Sequence, residues 1–332
     1  MSFFVVPGEV ADDILRTSRT TVLELVHETY LLHEAGASIN PDSYFLRFPD
    51  KPNSRVIALP GYLGGTFDKI GMKWIASFPD NVASGRPRAS AALLLNDYAT
   101  GSPIACLESA GISAARTAAS ATLAAARLKP AETRTVSFIG SGIIARTIAD
   151  YLLVAVQGIS EAVVHDLVPA SGANLVRYIS EEYPITAKFV DTLNEALESD
   201  IVVFATTAPT PYVTPATEFH PGQLVLNISL RDIAPEILLR SNNVLDDVDH
   251  CLKAETSAHL AERLSDGREF IDGTIGDVLR GEIELRSDRA TIFSPFGLGV
   301  LDIAVGSFVL KQARDAGKAV EIENFIGEEK RW

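Results

Sequence analysis

The stretch Thr135-Val136-Ser137-Phe138-Ile139-Gly140-Ser141-Gly142-Ile143-Ile144-Ala145 decides the fold. Its first five residues are mostly β-branched or aromatic and predict a strand that ends on a glycine. Beyond the glycine, Ile144, Ile148, Tyr151, Leu152 and Val156 recur at helical spacing, so a helix is expected over Ile143 to Val156. Strand, tight turn and helix in that order open a β-α-β unit. The turn reads Gly140-x-Gly142-x-x-Ala145, the pattern of a loop that cradles a dinucleotide pyrophosphate. Gly140 permits the tight turn, Gly142 lets the backbone approach the phosphates, and small Ala145 lets the helix close on the strand. The helix N-terminus that follows attracts the anion.

Reading outward, the next apolar run, Ala162 to His165, leads to Asp166, which lies 26 residues beyond Gly140. A carboxylate there accepts hydrogen bonds from ribose hydroxyls and repels a 2′-phosphate. No lysine or arginine stands in Leu167-Val168-Pro169-Ala170-Ser171, so NAD is expected rather than NADP. The plainer alternative is a glycine turn that only reverses the chain, with Asp166 as a helix cap. Further strands are expected at Lys188 to Val190, Ile201 to Ala205, Gln223 to Ser229, Val244 to Asp247 and Thr291 to Phe293. Strands alternating with helices in this way give an α/β fold with a Rossmann-type, doubly wound parallel sheet. Two of these strands run into Thr206 and into Asn227-Ile228-Ser229-Leu230-Arg231-Asp232-Ile233, at the edge where such sheets hold their ligands. Asp232 is therefore a candidate acid or base. It is equally a candidate N-cap for a helix expected over Pro235 to Leu239.

A chain of 332 residues exceeds one ordinary core, which suggests two domains. Its 47% hydrophobic and 22% charged residues are those of a globular protein, and no apolar stretch is long enough to span a bilayer. The segment Met1-Ser2-Phe3-Phe4-Val5-Val6 lacks the basic region of a signal peptide, so a cytoplasmic protein is expected. A net charge of -14 argues against a nucleic-acid partner, because phosphate backbones require a basic face. Cys106 and Cys251 stand alone, so neither a disulfide nor a metal site is spelled out, and both are expected as buried free thiols.

In the first third, a helix is expected over residues 19 to 35, ended by Gly36. Short strands follow around Tyr44 to Phe48, Arg55 to Leu59, Ile70 to Ile75 and Ala89 to Leu95, giving a second, smaller α/β domain. An alanine-rich helix from Ser109 to Leu128 stops before Pro130 and reads as an interdomain connector. Arg47, Lys73 and Arg116 each lie in uncharged surroundings. A cation on an apolar element must find an anion, so each is either a structural ion pair or part of a carboxylate-binding pocket. Three together favour the pocket.

Four motifs in order carry a resemblance: Gly71-x-Lys73-Trp74, Ile112-Ser113-Ala114-Ala115-Arg116-Thr117-Ala118-Ala119, Gly140-x-Gly142, and Ser294-Pro295-Phe296-Gly297-Leu298-Gly299-x-x-Asp302. With these the chain resembles the ornithine cyclodeaminase and mu-crystallin family over nearly its whole length. Four further segments are most similar to the branch that makes 2,3-diaminopropionate for siderophores. They are Lys73-Trp74-Ile75-x-Ser77-x-x-Asp80-Asn81, Arg88-Ala89-Ser90, Leu95-Asn96-Asp97 and Asn227-Ile228-Ser229-Leu230-x-Asp232. Cyclodeaminases proper carry a glycine-rich segment where this chain has Ser229-Leu230-Arg231, which speaks against cyclisation of ornithine.

The resemblance implies a substrate-binding and dimerisation domain at 1–115 with 311–332, and an NAD-binding Rossmann domain at 116–310. It implies a homodimer and a small amino-acid substrate with several carboxylates. Arg47 and Lys73 match substrate-carboxylate ligands, Arg88 and Arg231 are further candidate cations, and Phe296 falls where the family closes over substrate. Ser90, Arg116, Ile143, Ile144, Asp166, Thr206, Ser229, Leu230, Asp232 and Pro295 match cofactor contacts beside Gly140 and Gly142. Asp232 matches the catalytic acid or base, with Lys73 orienting a carboxylate. The implied reaction oxidises N-(2-amino-2-carboxyethyl)-L-glutamate to 2-oxoglutarate and L-2,3-diaminopropionate with formation of NADH. An ornithine cyclodeaminase, an alanine or ketimine reductase, and a non-enzymatic dinucleotide binder are the alternatives.

Overall fold

The computed structural model describes residues 2–327. They form two units, one of residues up to Arg116 together with those from Leu298 onward, the other running from Thr117 to Gly297.

The second unit is built on an eight-stranded sheet with every pair parallel. Its order is Thr186–Phe189, Glu161–His165, Thr135–Ile139, Ile201–Phe204, Leu224–Asn227, Thr291–Ser294, Asn242–Leu245 and Gly273–Thr274. The chain moves one way from Thr135–Ile139 through the next two strands, then returns to place Ile201–Phe204 on the other side. That reversal makes a switch point at the carboxyl ends of Thr135–Ile139 and Ile201–Phe204, where open α/β sheets bind ligands. Strands Ile201–Phe204, Leu224–Asn227, Asn242–Leu245 and Thr291–Ser294 are buried at every position, as a sheet covered on both faces requires.

Differences from the expected strand ends have local causes. The strand expected to reach Ser229 stops at Asn227, because the N–H groups of Ile228 and Ser229 both turn to the Phe204 carbonyl, at 3.1 Å each. Asn242–Leu245 begins earlier than expected, on two buried asparagines whose side chains are bonded to the Arg286 and Leu238 carbonyls. It also ends earlier, since Asp247 caps the helix Val248–Cys251 by accepting from the His250 N–H.

The first unit is a largely antiparallel sheet in the order Val320–Ile322, Phe3–Val6, Pro103–Glu108, Ala89–Asp97, Lys69–Ser77, Lys51–Leu63 and Ser38–Ile39, with Tyr44–Phe48 also on Lys51–Leu63. Helix Gly299–Asp315 packs on its central strands and buries residues from Gly299 to Gly306 without a break. This corrects the expected boundary. The chain rejoins the first unit at Leu298, not at residue 311, because that helix is the sheet's own cover. Helix Ala110–Leu128, expected as an interdomain connector, begins in the first unit and ends in the second. Its alanines 114, 115, 118, 119, 121, 124 and 125 are buried, and the unit boundary falls inside it.

On the sheet's other face Tyr44, Ala58, Trp74 and Ala92 stand in register across four strands, with Met72 beside Leu94. Tyr44 is 73% and Trp74 44% exposed, so this face is apolar and open. Both cysteines are free as expected, but only Cys251 is buried; Cys106 is half-buried on the strand Pro103–Glu108. No helix among the described residues is long and apolar enough to cross a membrane.

Candidate active site

In the second unit the glycine loop has the form its sequence demands. Gly140 takes φ +88°, and a Cβ there would stand 2.6 Å from the Ala205 carbonyl oxygen, so only glycine fits. Gly142 differs. Its φ of -73° suits any residue, and a Cβ would meet no protein atom within 4 Å. Packing alone does not require glycine at 142, whereas a ligand approaching the backbone at the N-terminus of helix Ile143–Ala155 does. Ile143 is exposed, Ile144 is half-buried and Ala145 lies in the core, as a loop that meets a ligand and a helix that meets a sheet would have them. The residues present fit a dinucleotide.

Asp166 follows the strand Glu161–His165 and braces that loop. Its Oδ2 accepts from the Ser141 N–H at 2.9 Å and the Ser141 hydroxyl at 2.5 Å, while Oδ1 accepts from the Val168 N–H at 2.8 Å. A carboxylate has about four acceptor sites, so capacity for a ribose hydroxyl remains. A cavity of about 380 Å³ beside the loop is lined by Ser141, Gly142, Ile143, Arg146, Arg177 and Tyr178 among others. Both arginines lie outside Leu167 to Ser171, the segment whose lack of cations pointed to NAD. Arg146 lies over the Tyr178 ring at 5.5 Å, and Arg177 donates to Asn174 at 3.0 Å.

The turn after Leu224–Asn227 carries Asp232. Leu230 takes φ +75°, a left-handed conformation that is strained for a branched side chain. It is held there by the Ser257 N–H on its carbonyl at 2.7 Å. Arg231 donates to the Ala254 carbonyl through Nε at 3.2 Å and through Nη2, so its guanidinium fastens a neighbouring loop rather than standing free for substrate. Asp232 is fully buried. Thr206 donates its hydroxyl to Oδ1, the N–H groups of Tyr212 and Val213 donate to its main-chain carbonyl, and the Tyr212 phenol interacts with the carboxylate. Burial first and the Asp232 charge next push the Tyr212 phenol far above its ordinary range. The helix Pro235–Leu238 is capped at Ala234 with no side-chain bond, which removes the N-cap reading of Asp232. The buried Ser229 hydroxyl is also without a hydrogen-bond partner. Pro295 is buried, and Phe296 is half-buried against the unit's core.

In the first unit the cations sort themselves. Lys73, on Lys69–Ser77, is 2% exposed, and its Nζ donates to Asp302 Oδ2 at 2.7 Å and to Ser113 Oγ at 3.1 Å. Arg116 Nε lies 3.4 Å from the same Asp302 oxygen. Burial pushes the Lys73 ammonium down to about 8; the Asp302 charge resists this and the Arg116 charge adds to it. Two cations on one carboxylate leave one positive charge over when Lys73 is protonated. Arg116 Nε and Asp302 Oδ1 are buried without hydrogen bonds. Such a cluster suits one carboxylate ligand.

Asp302 and Ser113 appeared in the sequence only as letters of motifs. A lone carboxylate in the apolar run Gly299 to Val305 was the signal for Asp302. Arg47 stays outside this cluster, exposed and 5.3 Å from the Phe45 ring centroid. Arg88 donates to Ser77 Oγ at 2.8 Å, with burial lowering its pKa, and Ser90 is exposed on Ala89–Asp97. Of the three cations singled out, the structure brings Lys73 and Arg116 together and leaves Arg47 apart.

The sequence model of the ornithine cyclodeaminase/mu-crystallin family matches residues 12–317. N-((2S)-2-amino-2-carboxyethyl)-L-glutamate dehydrogenase of Staphylococcus aureus (strain NCTC 8325 / PS 47) is 28% identical over 304 residues, covering 88% of this chain and 90% of its own. The structure of Thermococcus litoralis Δ(1)-pyrroline-2-carboxylate reductase in complex with NADH and L-proline superposes with a TM-score of 0.89 at 23% identity, over 96% of this chain and all of its own. That likeness is one of fold. An archaeal alanine dehydrogenase dimer with bound NAD gives a TM-score of 0.87 at 25% identity, over 98% of this chain and 100% of its own.

Proposed function

From a chain that belongs to the ornithine cyclodeaminase/mu-crystallin family, we infer an NAD-dependent oxidoreductase acting on an amino-acid C–N bond, with N-(2-amino-2-carboxyethyl)-L-glutamate as substrate. The observation that carries this reading is Asp232, a fully buried carboxylate held by the Thr206 hydroxyl and beside the Tyr212 phenol, next to the strand ends where a Rossmann sheet holds its ligand. The relative from Staphylococcus aureus supports the choice of substrate.

NAD, when bound, supplies the hydride acceptor. Its pyrophosphate is assigned to Gly140, Gly142, Ile143 and Ile144, and its ribose to Asp166. Ser90, Arg116, Thr206, Ser229, Leu230 and Pro295 are further assigned contacts. Lys73 binds a substrate carboxylate, oriented by Asp302, and Arg47 and Arg88 are assigned to the others. Asp232, its Oδ1 fixed by Thr206, takes the secondary-amine proton on Oδ2. Loss of hydride from the glutamate Cα then leaves a substrate ketimine. After that proton passes to solvent, Asp232 accepts one from the water that attacks the protonated ketimine carbon and hands it to the nitrogen as the C–N bond breaks. The products are 2-oxoglutarate and L-2,3-diaminopropionate, with one NADH formed for each. The first unit is assigned substrate binding and homodimerisation, the latter supported by its open apolar sheet face and by the dimeric archaeal alanine dehydrogenase.

One absorbance trace at about 340 nm tests the reaction, since reduced nicotinamide is what such an enzyme releases. NADH appearing in step with L-2,3-diaminopropionate is the expected result. Proline and ammonia from ornithine with no net NADH would replace this reading by cyclodeamination. Consumption of NADH with an imino acid or an oxo acid plus amine would replace it by a reductase.

A further inference from the structure

Asp246 is a carboxylate that the chemistry above leaves unused, and it is only 1% exposed. It follows the strand Asn242–Leu245, which lies parallel to Thr291–Ser294 with Leu245 beside Ser294. Asp246 and Pro295 therefore leave the sheet side by side at its carboxyl edge. The partners of Asp246 are the Phe296 N–H, 2.8 Å from Oδ1, the Gly297 N–H, 2.7 Å from Oδ2, and the Cys251 thiol, 3.1 Å from Oδ1. None of them is a cation. The same thiol meets the Ser294 carbonyl at 3.2 Å, and Asn227 Nδ2 donates to Ser294 Oγ at 3.1 Å.

The turn is thus fastened at Ser294, Phe296 and Gly297. Two oxygens of one carboxylate on successive N–H groups fix the orientation of the peptide between Phe296 and Gly297. Gly297 completes the turn at φ +93°, which favours glycine. The Phe296 ring, half-buried, is tilted against His250 with centroids 6.3 Å apart. Burying a carboxylate without a cation is unfavourable, and here two N–H groups and a thiol offset it; an apolar side chain would leave those donors unmet. What the carboxylate adds is a single geometry for this turn.

We propose that Asp246 is a positioning residue whose carboxylate, by holding the amides of Phe296 and Gly297, sets where the Phe296 ring stands against the substrate. This rests on the reading of Phe296 as a substrate contact. Asp246→Asn keeps the size and one acceptor oxygen but sets an amide NH₂ against one of the two N–H groups. Three properties are measured on the full chain: amide hydrogen exchange at residues 296 and 297, NAD affinity, and KM and kcat for an amino acid. The amino acid is whichever of N-(2-amino-2-carboxyethyl)-L-glutamate, L-proline and L-alanine the wild type oxidises with NAD.

The expected result is exchange at 296 or 297 at least about tenfold faster and KM raised about tenfold, with NAD affinity within about twofold of wild type. A role confined to stability would lower the melting temperature and leave KM unchanged. Phe296→Ala separates the two premises. A raised KM in Phe296→Ala beside an unchanged KM in Asp246→Asn overturns the proposal directly. An unchanged KM in Phe296→Ala, or a wild type that oxidises none of the three, overturns it through the reading on which it rests.

Discussion

Lys73 Nζ donates to Asp302 Oδ2 at 2.7 Å with both side chains buried, and Arg116 shares the same oxygen at 3.4 Å. Burial lowers the Lys73 pKa from 10.5 to about 8, so in this window the folded protein holds fewer protons than the unfolded chain. Stability contributed by this group therefore rises with pH from about 8 to 10.5, as the buried ammonium is relieved of its charge. Ligand binding has the opposite sign. A carboxylate needs the charged ammonium, so its affinity is level below pH 8 and falls up to about tenfold per pH unit above it. Titrating the dissociation constant of 2-oxoglutarate from pH 6 to 9.5 checks this, and Lys73→Met should abolish the fall.

Removing one partner of this cluster costs more than removing two. Asp302→Asn leaves the buried Lys73 and the half-buried Arg116 without their shared anion, and about 3–5 kcal/mol of stability should be lost. The double change Lys73→Met with Asp302→Leu removes the buried pair and fills the space, leaving only the half-buried Arg116 without its anion, so it should lose distinctly less. Urea unfolding midpoints of the two variants decide it; a double variant as unstable as Asp302→Asn would show that the pair itself carries the stability.

Asp232→Asn keeps the Thr206 hydrogen bond and the shape of the turn but loses the base. Turnover should fall about 10²–10⁴-fold while NAD binds as in wild type. Stopped-flow hydride transfer together with a binding titration measures both. Near-wild-type turnover would remove Asp232 from the chemistry.

The Rossmann half of the fold was legible because Thr135 to Ala145 combines a strand, two glycines and a helix whose positions are fixed by backbone geometry. The first unit was less so. Phe3–Val6, Pro103–Glu108 and Val320–Ile322 are neighbours in one sheet but lie far apart in sequence, and short strands gain their stability from such distant partners. In the site, Lys73 and Arg116 stood out as charges among apolar residues. The anion that joins them, Asp302, lies 229 residues from Lys73, and no local pattern records that pairing. Arg231 was misjudged for the related reason that its acceptor is a main-chain carbonyl at Ala254, which any residue presents.

The two loop glycines should respond oppositely to alanine. Gly140→Ala forces a Cβ to 2.6 Å from the Ala205 oxygen at φ +88°, so it should destabilise the fold by about 2–3 kcal/mol. Gly142→Ala meets nothing within 4 Å and should leave the melting temperature within about 2 °C, yet weaken NAD about tenfold or more by crowding the pyrophosphate. Calorimetry and an NAD titration on both variants separate a glycine kept for folding from one kept for ligand. Equal loss of stability in both would contradict the open space at Gly142.

The apolar sheet face yields the last expectation. Trp74 is 44% exposed in the middle of a strand, in register with Ala58 and Ala92 and two strands from Tyr44, which is 73% exposed. A contiguous open apolar face of this kind marks an association surface, and a twofold pairing would set it against its own copy. Trp74→Glu places a charge on that face without touching Lys73, whose side chain points to the opposite side because neighbours along a strand alternate. Sedimentation should therefore show a dimer for the wild type and a monomer for Trp74→Glu, with a cooperative unfolding transition retained. A wild-type monomer, or a Trp74→Glu dimer of unchanged affinity, would assign the face to another role.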